Sequence, residues 1–459
     1  MLNFSIIQKS QLEGAERIDA EYYQPEYLEL NKKLEEFGKN LKTLGELLDK
    51  GNSLTGGATP LGAEYPLSGI KFLRVQNIMP GYFDLSDVVF IDEKIHNVQL
   101  KRSRLADGDV LLTITGVSYG KSVVYKKDFG EANINQHSVR IHFKNELIPE
   151  YISAFLNSKY GRFQSDRKIT GNSRPALAYE EIKSYKIPFL SLIKQLAVKG
   201  FYDRSLMKVE ESNSLYKQAE NLLLEKLGLA DYKPKDELSF VVNFSDIKIA
   251  NRMDSEYFQP KYEKLMSKLK TKSSKLLKEL ISMKKGFEPG SDVYQEEGKL
   301  FIRVSSVTKQ ELIDKDQKYL KDDLYQKLKK DFEPQIGEIL LTKDANPGIA
   351  YVIKEPVEGI ISGGILRLKL KENIDAEYLA LCINSLIGKM QAERDAGGSI
   401  ISHWRPEQMK ELLIPILPKT AQEKIAELVR KFHEARKKSK ELLEEAKRKV
   451  EEMIEKGDQ

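Results

Sequence analysis

Residues 17–25 read Arg-Ile-Asp-Ala-Glu-Tyr-Tyr-Gln-Pro, and residues 252–260 read Arg-Met-Asp-Ser-Glu-Tyr-Phe-Gln-Pro. Both run on into a Tyr, Tyr27 or Tyr262, and an amphipathic segment. A match of this length points to internal duplication, and the echo continues along the chain. Phe72-Leu-Arg-Val75 returns 229 residues later as Phe301-Ile-Arg-Val304, and Gly108-Asp-Val-Leu-Leu-Thr113 returns at the same offset as Gly337-Glu-Ile-Leu-Leu-Thr342. Glu150-Tyr151 and Leu156-Asn-Ser158 return 227 residues later as Glu377-Tyr378 and Ile383-Asn-Ser385. Ile187-Pro188 returns as Ile414-Pro415, and Gln195 as Gln422. The offset is 235 at the opening motif and drifts by only eight residues. One complete unit is therefore written twice, which excludes a short solenoid repeat.

Each unit ends in a long helical pattern. Tyr202, Leu206, Val209, Asn213, Tyr216, Glu220, Leu223 and Leu227 keep alternating spacings of four and three, a heptad seam that Asn213 and Glu220 interrupt. Val198, Phe201, Leu215, Ala219 and Leu222 widen the stripe. Gly228 supplies a stop signal. From Thr420 to Ile454 the row Ile425, Leu428, Phe432, Ala435, Ser439, Leu442, Ala446, Met453 keeps the same rhythm. Each helix is expected to be roughly 35 residues and about 50 Å long. Neither stripe can stay in water, so the two are expected to pack on each other, the alternative being two separate helices, each packed on its own domain.

Between the landmarks the pattern is mixed. Strands are expected at Ile70–Val75, Val110–Ile114, Ser122–Tyr125 and Ser138–Phe143, and in the second copy at Leu300–Val304, Ile339–Thr342, Ile349–Ile353 and Gly364–Leu370. Helices are expected at Glu150–Phe163 and Ala376–Met390, each followed by a loop, Ile169–Ala176 or Ala396–His403. The predicted organisation is a first domain over 1–190, a long helix over 191–229, a linker over 230–250, a second domain over 251–417 and a second long helix over 418–459. The fold class is α+β, with two duplicated mixed α/β domains and a pair of long antiparallel helices between them.

The 459 residues, 41% hydrophobic, suffice for two or three domains with their own cores. No apolar run approaches a membrane span, and residues 1–11 lack the plan of a signal peptide. The single Cys382 excludes an intramolecular disulfide and a Cys-based zinc site, so the cytoplasm is the expected compartment. His137 and His142 lie an odd number apart in a strand-like stretch and make a poor metal pair. The net charge of +5 permits a nucleic-acid partner without demanding one.

Catalytic motifs fail on inspection. Gly120-Lys121-Ser122 resembles the end of a phosphate-binding loop, but Thr115 stands where the loop needs its first Gly, and a strand follows where a helix is required. Asn346-Pro347-Gly348 lacks the second Pro and the aromatic of an adenine-methyltransferase motif. No Gly-rich cofactor loop follows an early strand. Asp331, Glu338 and Lys343 form no persuasive nuclease set in so charged a chain.

Polar loop chemistry does recur at corresponding places. After the Leu-Leu-Thr strands come Ser118, Tyr119 and Lys121 in one copy and Lys343 and Asn346 in the other. The late loops carry Lys168, Asn172, Ser173 and Arg174, and then Ser399, His403, Trp404 and Arg405. Arg74, Gln76 and Asn77 match Arg303, Ser305 and Ser306. These side-chain types read base edges and phosphates, and they are equally the chemistry of ordinary turns.

The duplicated R-x-D-x-E-Y-x-Q-P opening, the G-[DE]-[IV]-L-L-T strand, the polar late loop, the Ile-Pro exit and the closing helix together resemble the specificity subunit of type I restriction–modification enzymes. The resemblance covers nearly the whole chain. It implies two target recognition domains, each reading half of a bipartite double-stranded DNA site. It implies an antiparallel helix pair that separates those domains and docks two methyltransferase subunits. It further implies that S-adenosylmethionine belongs to the methyltransferase partners, and ATP and magnesium to a restriction–translocase partner. This chain is then a non-catalytic subunit with no cofactor of its own. The competing readings are a tandem protein-interaction scaffold and an enzyme binding a sugar or nucleotide.

Overall fold

The computed structural model describes residues 4–457 other than 11, 13–16, 50–53, 61, 63, 86, 172–174, 291–292, 296, 314–316 and 397–401. Its chain divides into two units, one formed by residues 1–210 with 437–459 and the other by residues 211–436. The division cuts across both long helices, Leu192–Leu227 of 36 residues and Lys419–Glu455 of 37. The start of the first helix shares a core with the end of the second, and the end of the first with the start of the second. Gly228, at φ +70°, ends the first helix, and Leu229 N donates back to Leu224 O at 2.8 Å, the pattern of a glycine C-terminal cap.

The seam follows the expected row at Tyr202, Val209, Tyr216, Leu223 and Leu227 but lies one residue earlier at the other three positions. Val198, Tyr202, Ser205, Val209, Ser212, Tyr216, Ala219, Leu223 and Leu227 are buried, whereas Asn213 is exposed and Leu206 and Glu220 only half-buried. On the second helix Met453 is half-buried and the buried row ends on Val450 and Ile454. Small residues explain the shift, because they let the partner helix approach. In the first unit Ser205 and Ser439 hydroxyls meet at 2.9 Å. In the second unit the Tyr216 and Phe432 rings lie 4.9 Å apart. Residue numbers rise on one helix as they fall on the other, so the pairing is antiparallel.

Each unit repeats the same sheets. In the first, a four-stranded antiparallel sheet runs in the order Thr55–Gly56, Ser138–Ile141, Val110–Thr113, Ser122–Val124. In the second the order is Ile281–Lys285, Ile365–Leu370, Ile339–Thr342, Ala350–Val352. The central Val-Leu-Leu-Thr and Ile-Leu-Leu-Thr strands are buried along their whole length, which explains their unbroken apolar runs. A three-stranded sheet accompanies each: Val89–Ile91, Ile70–Leu73, Ala132–Ile134, and Lys318–Leu320, Lys299–Ile302, Gly359–Ile361. Its second pairing is parallel in both units.

The stretches expected as single helices are each broken in two, Pro149–Asn157 with Lys159–Lys168, and Ala376–Asn384 with Leu386–Asp395. Ser158 and Ser385 adopt extended backbone at the break, with ψ 168° and 177°. The second helix then folds back so closely that a Cβ on Gly161 would lie 2.4 Å from Leu156 Cα, and one on Gly388 2.0 Å from Ile383 O. Only glycine fits there. The preceding Asn holds the strand alongside. Asn157 accepts from Ser122 N at 3.0 Å and donates to Ser122 O at 2.8 Å, and Asn384 does the same with Ala350 at 2.9 and 2.7 Å. Tyr151 and Tyr378 donate to Pro188 O and Pro415 O, which links the Glu-Tyr and Ile-Pro motifs. Within the expected linker, Phe244–Ala250 forms a short helix with no buried residue.

Candidate nucleic-acid interface

The loop that follows each Leu-Leu-Thr strand is clamped by the strand's own threonine. Thr113 donates to Ser118 O at 2.6 Å and accepts from Lys121 N at 2.9 Å. Thr342 donates to Asn346 O at 2.6 Å and accepts from Ile349 N at 2.9 Å. The loop then crosses the late loop by backbone pairing, Thr115 with Ala176 in the first unit and Asp344 with His403 in the second. Neighbouring bonds secure the crossing: Gly116 N to Pro175 O at 3.0 Å and Leu177 N to Ile114 O at 2.9 Å, and Trp404 N to Lys343 O at 2.8 Å. The two loops whose polar residues stood out in the sequence thus meet in space in both units.

The turn geometry is shared too. Gly116 has φ +69° and its counterpart Ala345 has φ +61°, a left-handed conformation that opposes a Cβ. Ala345→Gly should relieve that strain. Some of the gain is offset by the extra freedom of glycine in the unfolded chain, leaving roughly 0.5–1 kcal/mol of stabilisation. A thermal melt of the second unit that does not rise counts against strain at Ala345.

The expected site residues separate into groups. Asn77 is fully buried, and its amide donates to Asp84 O at 2.9 Å and Asp87 Oδ1 at 2.7 Å, so its side chain holds a turn and cannot reach DNA. Arg74 and Gln76 also bind Asp87, and Arg303 opens the matching turn at Val304–Ser306. The hydroxyl of Ser305 is enclosed and finds no hydrogen-bond partner among the described residues. Lys168 is paired with Glu181 at 2.9 Å. Ser118, Tyr119 and Lys121 lie half-exposed on the first crossing loop. Tyr119 sits under the Arg162 guanidinium at 5.0 Å, and burial, aided by Asp166, pushes its phenol up to about 12. In the second unit Lys343 is paired with Asp344 at 2.6 Å, while Asn346, His403 and Arg405 are exposed. Asn172, Ser173, Arg174 and Ser399 lie outside the described residues.

Sequence reasoning missed Thr113 and Thr342 as loop clamps, although their recurrence at the end of both strands was a usable signal. It also missed Asp344 and His137, which become neighbours of the crossing only through tertiary structure. Trp404, named among the polar late-loop residues, is fully buried in the core of the second unit. Among the described residues no three His, Cys, Asp or Glu side chains are grouped to hold a metal, and no helix is long and apolar enough to cross a membrane.

The two units thus present the same loop crossing on the same α/β scaffold, with different side chains at it. Residues 270–448 match the family model of the type I restriction modification DNA specificity domain. It is similar to the type I restriction-modification S subunit from M. genitalium, at 14% identity over 91% of this chain and 95% of that one, with a TM-score of 0.38. It is also similar to the HsdS subunit from Thermoanaerobacter tengcongensis, at 14% identity over 91% and 97% of the two chains, with a TM-score of 0.30. Comparison with curated proteins returned no match.

Proposed function

We propose that the chain reads a bipartite double-stranded DNA site, one half-site per unit, as the non-catalytic subunit of a methyltransferase complex. The observation that carries this reading is the repeated loop crossing. Its scaffold is the same in both units, but Thr115 with His137 stands in one where Asp344 with His403 stands in the other. Identical scaffolds with different side chains suit two different half-sites. The first recognition domain spans 1–190 and the second 251–417. The paired long helices dock two methyltransferase subunits. S-adenosylmethionine is bound by those partners, and ATP with magnesium by a restriction–translocase partner. The cytoplasm is the compartment such a complex requires.

The DNA contacts come from Ser118, Tyr119, Lys121, Lys343, Asn346, His403 and Arg405, together with Asn172, Ser173, Arg174 and Ser399. Asn77 is excluded by its burial. Replacing residues 249–415 with the matching segment of a relative is expected to change one half of the methylated sequence and leave the other intact. Methylated adenines are mapped in a host carrying the protein with its methyltransferase partner, and a change in both halves contradicts modular reading. Arg405→Ala, if the guanidinium meets a phosphate, should weaken binding on all sequences and lower the salt slope by about 1.

A further inference from the structure

In both units the loop crossing brings an imidazole to the same backbone position, and it comes from a different segment each time, the turn before strand Ser138–Ile141 in one and the short strand Ser402–His403 in the other. In the first unit Thr115 Oγ1 meets His137 Nδ1 at 2.6 Å. In the second, Asp344 Oδ1 meets His403 Nδ1 at 2.8 Å. His137 and His403 are not counterparts. Ile114 N donates to His137 O at 3.0 Å, and Lys343 N donates to Gly364 O at 2.9 Å, so the counterpart of His137 is Gly364. A Cβ on Gly364 would lie 2.6 Å from Val304 Cγ2 and 3.3 Å from Asp344 Oδ2. No imidazole fits at that position in the second unit, and His403 approaches from the late loop instead. Two independent placements of one ring at one crossing point to a shared task.

We propose that His403 reads a base edge in the half-site of the second unit and that Asp344 is the residue that positions it. The inference rests on the half-site reading given above. Asp344 is itself fixed, since its other oxygen accepts from Lys343 Nζ at 2.6 Å. An ionised carboxylate only accepts hydrogen bonds, so His403 Nδ1 carries the proton, and in the neutral form of the ring this tautomer presents Nε2 as an acceptor. The His403 side chain is 59% exposed, which leaves that edge open to a ligand. An acceptor of this kind matches the exocyclic amine of adenine or cytosine in the major groove. In the first unit Thr115 holds His137 in the same way, but its hydroxyl can donate or accept and imposes no tautomer.

The test compares wild type, His403→Ala, Asp344→Ala and Asp344→Asn, each assembled with the methyltransferase partner, by mapping methylated motifs over a randomised DNA library. His403→Ala and Asp344→Ala are expected to lose discrimination at one and the same base pair of one half-site, by at least about fivefold. The other half-site should be unchanged. Asp344→Asn keeps an oxygen that accepts from Nδ1 and should restore most of the discrimination. A merely structural Asp344 would instead lower methylation at every position alike. His403 is exposed, so its truncation leaves the fold intact. A bipartite wild-type motif that His403→Ala does not alter overturns the assignment alone, and so do two variants that relax different positions. A wild-type motif that is not bipartite overturns the half-site reading beneath it.

Discussion

Trp404→Ala is expected to destabilise the second unit by about 3–5 kcal/mol, the range for removing a large aromatic from a core. Trp404 is the only tryptophan in the chain and is 1% exposed, within the main core of that unit. Its backbone N–H is bound to Lys343 O, and its ring lies against Gly348, where an added Cβ would come within 3.7 Å. The ring therefore fills the space beneath both crossing loops. Its indole N–H has no hydrogen-bond partner among the described residues. Trp404→Phe forfeits volume but no hydrogen bond, and should cost clearly less than Trp404→Ala. Hydrogen exchange measured by mass spectrometry reads the effect unit by unit. Peptides covering 339–352 should lose protection, while those covering 110–125 keep theirs. Equal costs for Phe and Ala would mean that the ring does not support the loops by packing.

The duplication was legible because it is written in glycines, prolines and buried apolar strands, which local geometry demands wherever the unit recurs. Gly108 and Gly337 both take positive φ just before the central strand, at +80° and +84°. The paired strands followed from the same logic, and none of their ends moved by more than two residues. The helix breaks at Ser158 and Ser385 were not legible, because the apolar pattern runs through them without a change of period. What breaks the helix is the backbone approach that Gly161 and Gly388 permit, a tertiary event. The seam was misplaced at Leu206, Asn213 and Glu220 for a related reason. Counting apolar residues favours Leu206 over Ser205, yet a closely packed helix pair selects for smallness as well as for apolarity.

The candidate site was legible as two loops per unit and no further. Asn77 and Gln76 are adjacent polar residues, and only the fold shows that the turn around Asp84–Asp87 swallows one of them. Lys168 reads as a free cation until Glu181 is brought beside it by the short helix Tyr179–Lys183. Long-range pairing such as Asp344 with His403 leaves no local signature, because neither residue is unusual in its own neighbourhood.

Glu377→Gln is expected to destabilise the second unit by about 3 kcal/mol at neutral pH, with a dependence on pH that identifies the cause. Glu377 is nearly buried at the start of helix Ala376–Asn384, and its oxygens face Lys354 Nζ at 3.1 Å and His433 Nε2 at 3.6 Å. His433 belongs to the second long helix, and its Nδ1 also meets Gln310 O at 3.1 Å. Burial alone would raise the carboxyl, but hydrogen bonding by His433 and the charge of Lys354 outweigh it and hold Glu377 below the usual carboxylate range. Removing one partner of a buried ion pair costs about 3–5 kcal/mol, because the other charge stays behind without compensation. The Lys354 side chain is 27% exposed and keeps some water, which places the expected loss at the lower end. A folded pKa below the unfolded value means that the stabilisation is present above about pH 4.3 and is lost as pH falls through the folded pKa. Burial lowers His433 in spite of Glu377, so the unfolded chain takes up that proton first and acidification below about pH 6.5 also destabilises the wild type. The difference between Glu377→Gln and wild type should therefore persist through pH 5 and close only below about pH 4, as Glu377 itself is protonated. Urea unfolding at a series of pH values, followed by exchange of peptides from the second unit, measures it. A difference that stays constant down to pH 3 would assign the loss to packing and hydrogen bonding rather than to the buried charge.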